Sequence, residues 1–155
     1  MTDADFMPRL IDSIADTRAM IGFDPIGGGT LAGQILTAME AAASRGAAFS
    51  RYGSSEAKKV YIYGALDTGP TTLSRNFGFS WAVNGFLLTP FLMKIGAEGN
   101  QRMRARVVAE LKTTFASHYT SEVTLAEMLR PDIANVYNKR ATGEKFLVCP
   151  NKVPA

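Results

Sequence analysis

Six residues, Gly27-Gly28-Gly29-Thr30-Leu31-Ala32, satisfy the pattern G-x-G-x-x-G/A directly after an apolar run and directly before a helical one. In that setting glycines let a backbone wrap a pyrophosphate, and a helix N-terminus offers unpaired N–H groups and the positive end of its dipole. A dinucleotide site of this kind also needs an acid about 20 residues further on, closing the next strand and holding a ribose. The segment there is the polar loop Phe49-Ser50-Arg51-Tyr52-Gly53-Ser54-Ser55, and the next acid, Glu56, lies in the same loop. The turn therefore has two readings, a phosphate cradle or a strand-to-helix turn that needs glycine for its dihedrals. The missing acid favours the second.

A second pattern recurs twice. Phe23-Asp24-Pro25-Ile26-Gly27-Gly28 and Tyr61-Ile62-Tyr63-Gly64-Ala65-Leu66 each end an apolar run with an apolar residue followed by glycine. The carboxyl ends of parallel strands face the ligand crevice, and glycine there either lets a planar ring approach the backbone or only turns the chain. His118 has no Ser, Cys or Asp in a nucleophile motif beside it, so it reads as a surface histidine near a helix end. Cys149 sits in an apolar strand and reads as a small buried hydrophobe. Lys145, beside Gly143-Glu144, is placed either to reach a phosphate or to charge a strand edge. With one Cys and one His the sequence supports neither a four-ligand Cys/His zinc site nor an intrachain disulfide.

The elements that must position these residues follow from periodicity. Phe6, Leu10, Ile11 and Ile14 predict a helix over about 3–16. Ala19 to Ile26 predicts a strand buried on both faces, and Leu31, Ile35, Ala38, Met39 and Ala42 a helix to about Ser44 with Thr30 as N-cap. Arg45 to Lys59 is a long polar loop. Lys59 to Leu66 is a second strand closed by a turn at Asp67-Thr68-Gly69-Pro70, and Trp81 to Leu88 a third that stops before Pro90. Met103, Val107, Leu111 and Phe115 recur every fourth residue, predicting a helix from about Glu98 to Ser117 whose arginines form a solvated face. Thr124-Leu125-Ala126-Glu127 has capping-box spacing and starts a short helix limited by Pro131. Asp132 to Arg140 is a further short helix and Lys145 to Cys149 a last strand. Strands separated by helical crossovers imply a parallel α/β sheet.

Composition fits one globular core. The chain has 155 residues, 46% hydrophobic and 20% charged, with a mean hydropathy of +0.01, neither disordered nor membrane-embedded. Seventeen Lys and Arg against 14 Asp and Glu give a net charge of +3 without a dense basic block, which argues against a nucleic-acid partner. The N-terminus carries acids where a signal peptide would carry Lys or Arg, and Trp81 to Ile95 is too short and too polar to span a bilayer, so a cytoplasmic protein without a membrane partner is expected.

The ordered series Phe23-Asp24-Pro25-Ile26-Gly27-Gly28, a helix, Val60 to Leu66, Trp81 to Leu88 and Gly143 to Val148 resembles the carboxyl-terminal part of medium-chain dehydrogenase/reductases. The branch is that of the zinc-binding-dehydrogenase-like quinone oxidoreductases, a label kept by members without zinc. The resemblance runs from about Asp5 to Lys152. It implies an α/β fold comprising the second half of a Rossmann-type doubly wound parallel sheet, over 1–120, and a segment returning toward a catalytic domain, over 121–155. It also implies that the chain begins within the nucleotide domain, after the family's Gly-rich fingerprint and ribose-binding acid, so that Gly27 to Ala32 is a later strand-to-helix turn.

By the same resemblance, Ile26 and Gly27 line a crevice for NADP or NAD near the ribose and nicotinamide. Tyr63, Gly64 and Ala65 lie along the nicotinamide, Phe86, Leu87 and Leu88 meet its carboxamide, and Lys145 meets a phosphate. The implied reaction passes a hydride between the cofactor and a small quinone, carbonyl or activated alkene. An incomplete and weakly active oxidoreductase is the leading expectation, with no catalytic residue identified. The alternatives are a small nucleotide-binding module centred on Gly27 and a remnant that associates with a partner chain. The resemblance further implies a homodimer through an edge strand at Phe86 to Phe91.

Overall fold

The computed structural model describes residues 4–139 and 144–151. Gly143 and Arg140, named in the sequence reading, lie outside the described residues. The chain forms two compact units, Met1–Phe91 and Leu92–Ala155.

In the first unit, α1 (Phe6–Thr17) and α2 (Leu31–Ala43) lie against each other, and α2 packs on a three-stranded sheet of β1 (Ile21–Asp24), β3 (Lys58–Ile62) and β5 (Trp81–Gly85). Both pairings, β1 with β3 and β3 with β5, are parallel, with Gly22, Val60 and Val83 in one row and Phe23, Tyr61 and Asn84 in the next. The first row faces α2. A Cβ on Gly22 would lie 2.6 Å from Cγ2 of Ile35, so glycine is what lets the helix sit down on the strand. Ile14, Ile35, Leu36, Met39, Val60 and Phe77 are buried in this core, and the ring of Phe77 meets Trp81 edge-on with centroids 5.0 Å apart. The parallel α/β class expected from the alternation of elements is the class observed.

Several boundaries differ from the sequence reading, each for a local reason. The first strand stops at Asp24 instead of Ile26, because the Asp24 carboxylate accepts the N–H groups of Ile26 and Gly27 and folds the chain over. The glycine turn contains a short strand, β2 (Gly27–Gly29), and the turn expected at Asp67 to Pro70 is its parallel partner β4 (Asp67–Thr71). In a two-stranded sheet β4 is an edge, where proline is tolerated.

The third strand ends at Gly85, and Phe86 to Phe91 is not a strand. Leu88 opens α3 (Leu88–Ala109), with Pro90 in its first turn, where a missing N–H costs no helical bond. Gly96, with φ 71° and ψ −177°, a conformation open to glycine, divides α3 into two helical parts. The part beyond Gly96 is the helix expected from about Glu98, ending at Ala109 instead of Ser117, and the part from Leu88 is an addition to it.

In the second unit, β6 (Ser121–Val123), which carries no clear strand pattern, pairs in parallel with β7 (Phe146–Val148). Between them lie a 3-10 turn at Glu127–Leu129 and α4 (Pro131–Tyr137). The capping box is formed reciprocally, with Thr124 N–H donating to Glu127 Oε2 at 2.7 Å and Glu127 N–H to Thr124 Oγ1 at 3.2 Å. Tyr137 donates its hydroxyl to the Met128 carbonyl at 2.9 Å.

Candidate functional site

Three adjacent parallel strands end at the same level, with Asp24, Ile62 and Gly85 in register. The residues immediately beyond them are Pro25 to Gly27, Tyr63 to Ala65, and Phe86 to Leu88. Eight of the nine residues singled out from the sequence, Ile26, Gly27, Tyr63, Gly64, Ala65, Phe86, Leu87 and Leu88, thus follow the carboxyl ends of the strands of one sheet, Gly27 as the first residue of β2 and Leu88 as the first of α3. Lys145 belongs to the second unit. There its Nζ donates to Ser117 Oγ, and its backbone bonds Thr120 in both directions.

The edge is braced by backbone. Tyr63 N–H donates to the Asp24 carbonyl at 3.0 Å, Phe86 N–H to the Ile62 carbonyl at 2.8 Å and Asp67 N–H to the Ile26 carbonyl at 3.0 Å, while Thr71 Oγ1 donates to the Gly27 carbonyl at 2.7 Å. Inside this frame Asp24 is fully buried, and Oδ1 accepts from Ile26 N–H at 2.7 Å and Gly27 N–H at 3.1 Å. Its second oxygen, Oδ2, is buried without a hydrogen-bond partner, as is Oε1 of Gln34.

The glycines owe their place to the chain itself. A Cβ on Gly64 would stand 1.8 Å from the Pro25 carbonyl oxygen, and one on Gly27, whose φ is +89°, 2.7 Å from the Gly64 carbonyl oxygen. Two backbone segments pass here closer than any side chain permits. At Gly28 a Cβ would meet the Asp67 carboxyl group at 2.5 Å. A carboxylate held against the Gly27-Gly28-Gly29 turn repels a phosphate, so the electrostatics oppose the cradle reading and agree with the missing ribose acid.

On the sheet face turned away from α2, Phe23 stacks on Tyr61 (centroids 5.7 Å apart, planes at 27°), and meets Tyr63 and Phe86 edge-on at 6.3 and 5.8 Å. Tyr63 is 55% exposed and Leu87 70%. The edge offers aromatic and aliphatic contact with backbone polar groups nearby, which fits a planar, mostly apolar ring and not a phosphate chain.

A second polar cluster escaped the sequence reading. Lys58 is fully buried, and its Nζ bonds Glu40 Oε2 at 2.6 Å, Ser54 Oγ at 3.0 Å and the Glu56 carbonyl at 3.0 Å. Glu40 also accepts from Ser54 N–H, Ser54 Oγ and Ser44 Oγ at 2.7, 2.7 and 3.0 Å. Burial opposes its ionisation, but the donors, Lys58 first among them, outweigh burial and hold the carboxyl at about 2 instead of 4.5. A cavity of about 350 Å³ opens beside it. With two donors already on each oxygen, Glu40 pins the 45–57 loop and has no capacity left for a ligand. Among the described residues no group of three or more His, Cys, Asp or Glu is placed to hold a metal ion, and no helix is long and apolar enough to cross a membrane.

No protein-family model matches the sequence. No curated protein matches it either. Among solved structures, the chain is similar to a protein of Mesorhizobium loti described as a "putative NADPH:quinone reductase", with a TM-score of 0.59 and 22% identity over 96% of this chain and 38% of that one. The chain thus spans well under half the length of that protein. The resemblance read from the sequence agrees with this likeness, and the α/β fold of the chain, with its parallel sheet, is one found within a reductase of that description.

Proposed function

We propose that this chain supplies the nicotinamide side of a dinucleotide crevice in an NAD(P)H-dependent oxidoreductase that passes a hydride to a quinone, a carbonyl compound or an activated alkene. The reading is carried by one observation: three parallel strands end in register and bring Ile26, Tyr63, Ala65, Phe86, Leu87 and Leu88 to one edge, at the end of an α/β sheet where ligands bind. The similarity to a reductase described by its use of NADPH supports the choice of cofactor class. Ile26 and the Tyr63 to Ala65 segment would lie along the ring, and Phe86 to Leu88 would meet its carboxamide through backbone atoms. The cofactor supplies the hydride; these residues orient the ring and keep water from it. The phosphates would be held by groups other than the Gly27 turn, in keeping with Asp67 beside it.

Titration of NADPH and of NADH into the protein, read by calorimetry and by nicotinamide fluorescence, tests this proposal. Saturable binding that is weakened by Tyr63→Ala supports it, and no heat or fluorescence change up to millimolar cofactor overturns it.

A second reading, association with a second copy of this chain, is favoured by the open edge at β1, where Ile21 and Phe23 are 55% and 53% exposed. It predicts concentration-dependent mass in light scattering. A monodisperse monomer at high concentration removes it.

A further inference from the structure

We infer that Asp24 is the positioning residue of the crevice and that it acts through Oδ1 alone. The turn Pro25 to Gly27 has to pass the Gly64 backbone without room for a Cβ on either glycine. Its path is fixed from below by two N–H groups, those of Ile26 and Gly27, that converge on a single carboxylate oxygen at 2.7 and 3.1 Å. Those two bonds set the plane of the peptides at Ile26 and Gly27. They thereby set the direction of the Ile26 carbonyl, which receives Asp67 N–H at 3.0 Å, and the height of the Ile26 side chain at the strand edge.

The other oxygen contributes nothing of this kind. Oδ2 has no partner and is sealed from solvent, so a ligand cannot reach it without displacing the turn. A buried acceptor left unpaired is costly, and it survives where the rest of the group does something the site needs. The asymmetry between the two oxygens makes the inference specific. An amide in place of the carboxylate keeps the Oδ1 acceptor and loses the charge, whereas a methyl group loses both.

The ligand arm of the test rests on the cofactor reading above, and the amide arm stands without it. In the first arm, NADPH affinity is measured for the unaltered chain, Asp24→Asn and Asp24→Ala. The expectation is that Asp24→Asn binds within about twofold of the unaltered chain and Asp24→Ala about tenfold more weakly, as expected for the loss of two shared hydrogen bonds. In the second arm, amide hydrogen exchange is followed at Ile26, Gly27, Asp67 and, as a reporter of the folded core, Val60. Asp24→Ala should lose protection at the first three and keep it at Val60, and Asp24→Asn should restore it.

Asp24→Ala with unchanged exchange at Ile26 and Gly27 overturns the inference. So does Asp24→Asn behaving like Asp24→Ala, since the charge or Oδ2 would then be the working part. If the unaltered chain binds no NADPH while the exchange pattern is as expected, the cofactor reading fails and the inference about the turn stands.

Discussion

Nζ of Lys58, at the start of β3, lies 2.6 Å from Oε2 of Glu40, in the last half of α2, with side-chain exposures of 0% and 11%. The pair joins the helix to the strand across the 45–57 loop, and Ser54 from that loop bonds both partners. Every polar atom of the pair is satisfied from within the same unit, which is the condition under which a buried ion pair is tolerated.

The first prediction concerns acid. Glu40 is held at about 2 against an ordinary 4.5. A carboxyl group with a depressed folded value contributes stability that is fully present above 4.5 and lost as pH falls from 4.5 toward 2. The loss should be on the order of 3 kcal/mol. Urea melts from pH 6 down to pH 2 measure it, with about 2 kcal/mol of the loss reached by pH 3, and Glu40→Gln should flatten the dependence in that window. Glu110, lowered by Thr114 and Arg106, and Asp132, lowered by Arg130, are surface groups whose pairs add little to it.

Breaking the pair from one side is the second. Glu40→Ala leaves the Lys58 ammonium buried without its carboxylate and should cost roughly 3–5 kcal/mol. Equilibrium denaturation followed by circular dichroism reads this directly. The double variant Glu40→Ala/Lys58→Met should recover part of the loss. A double variant as unstable as the single one would mean that packing around Glu40, and not the stranded charge, sets the cost.

Glycine supplies the third, as a matched contrast. Gly64→Ala places a Cβ 1.8 Å from the Pro25 carbonyl, so the two backbone segments must separate. The expected loss is at least about 3 kcal/mol, or failure to fold. Gly85→Ala, at the end of β5, meets nothing within 4 Å and should change stability by less than about 0.5 kcal/mol. Thermal melts of the two proteins side by side check the difference.

In the core, Leu36→Ala removes a fully buried side chain of α2 and should cost about 2–5 kcal/mol. In the second unit, Thr124→Ala opens the capping box and should cost about 0.5–2 kcal/mol. Because the box lies within the second unit, exchange at Met128 should quicken while exchange at Val60 does not.

The fold was legible where periodicity is strong. α1, α2, β1, β3 and β5 were each found within a few residues, because Ile35 and Met39 repeat at helical spacing and Val60 to Ile62 is continuously apolar. The strand ends at Ile26 and Tyr63 were legible as neighbours as soon as the strands were taken to be parallel, whereas Phe86 entered only through the family resemblance. What escaped has a common cause. β4 is made of Asp, Thr, Gly and Pro, so its strand character comes from pairing with β2 and not from its residues. Leu88 to Phe91 is apolar enough to continue a strand, but Pro90 at the first helical turn starts α3 instead. Glu40 and Lys58 carry no motif at all, and Asp24 was read only as part of the Phe23 to Gly28 strand end, with no role of its own. Their roles come from neighbours distant in sequence or from a turn whose geometry only the folded chain reveals.

The parallel register of β1 and β3 also dictates an order of events. Neither strand can find the other as a hairpin, since α2 and the whole 45–57 loop must be crossed first. The contact of α1 with α2 involves nearer neighbours, so in a stopped-flow refolding experiment helical ellipticity should develop ahead of the fluorescence change that reports Trp81 packing on Phe77. The slow arrival of the sheet leaves Val60 and Tyr61 transiently open to other chains, and lower temperature and low protein concentration during refolding should limit the resulting aggregation.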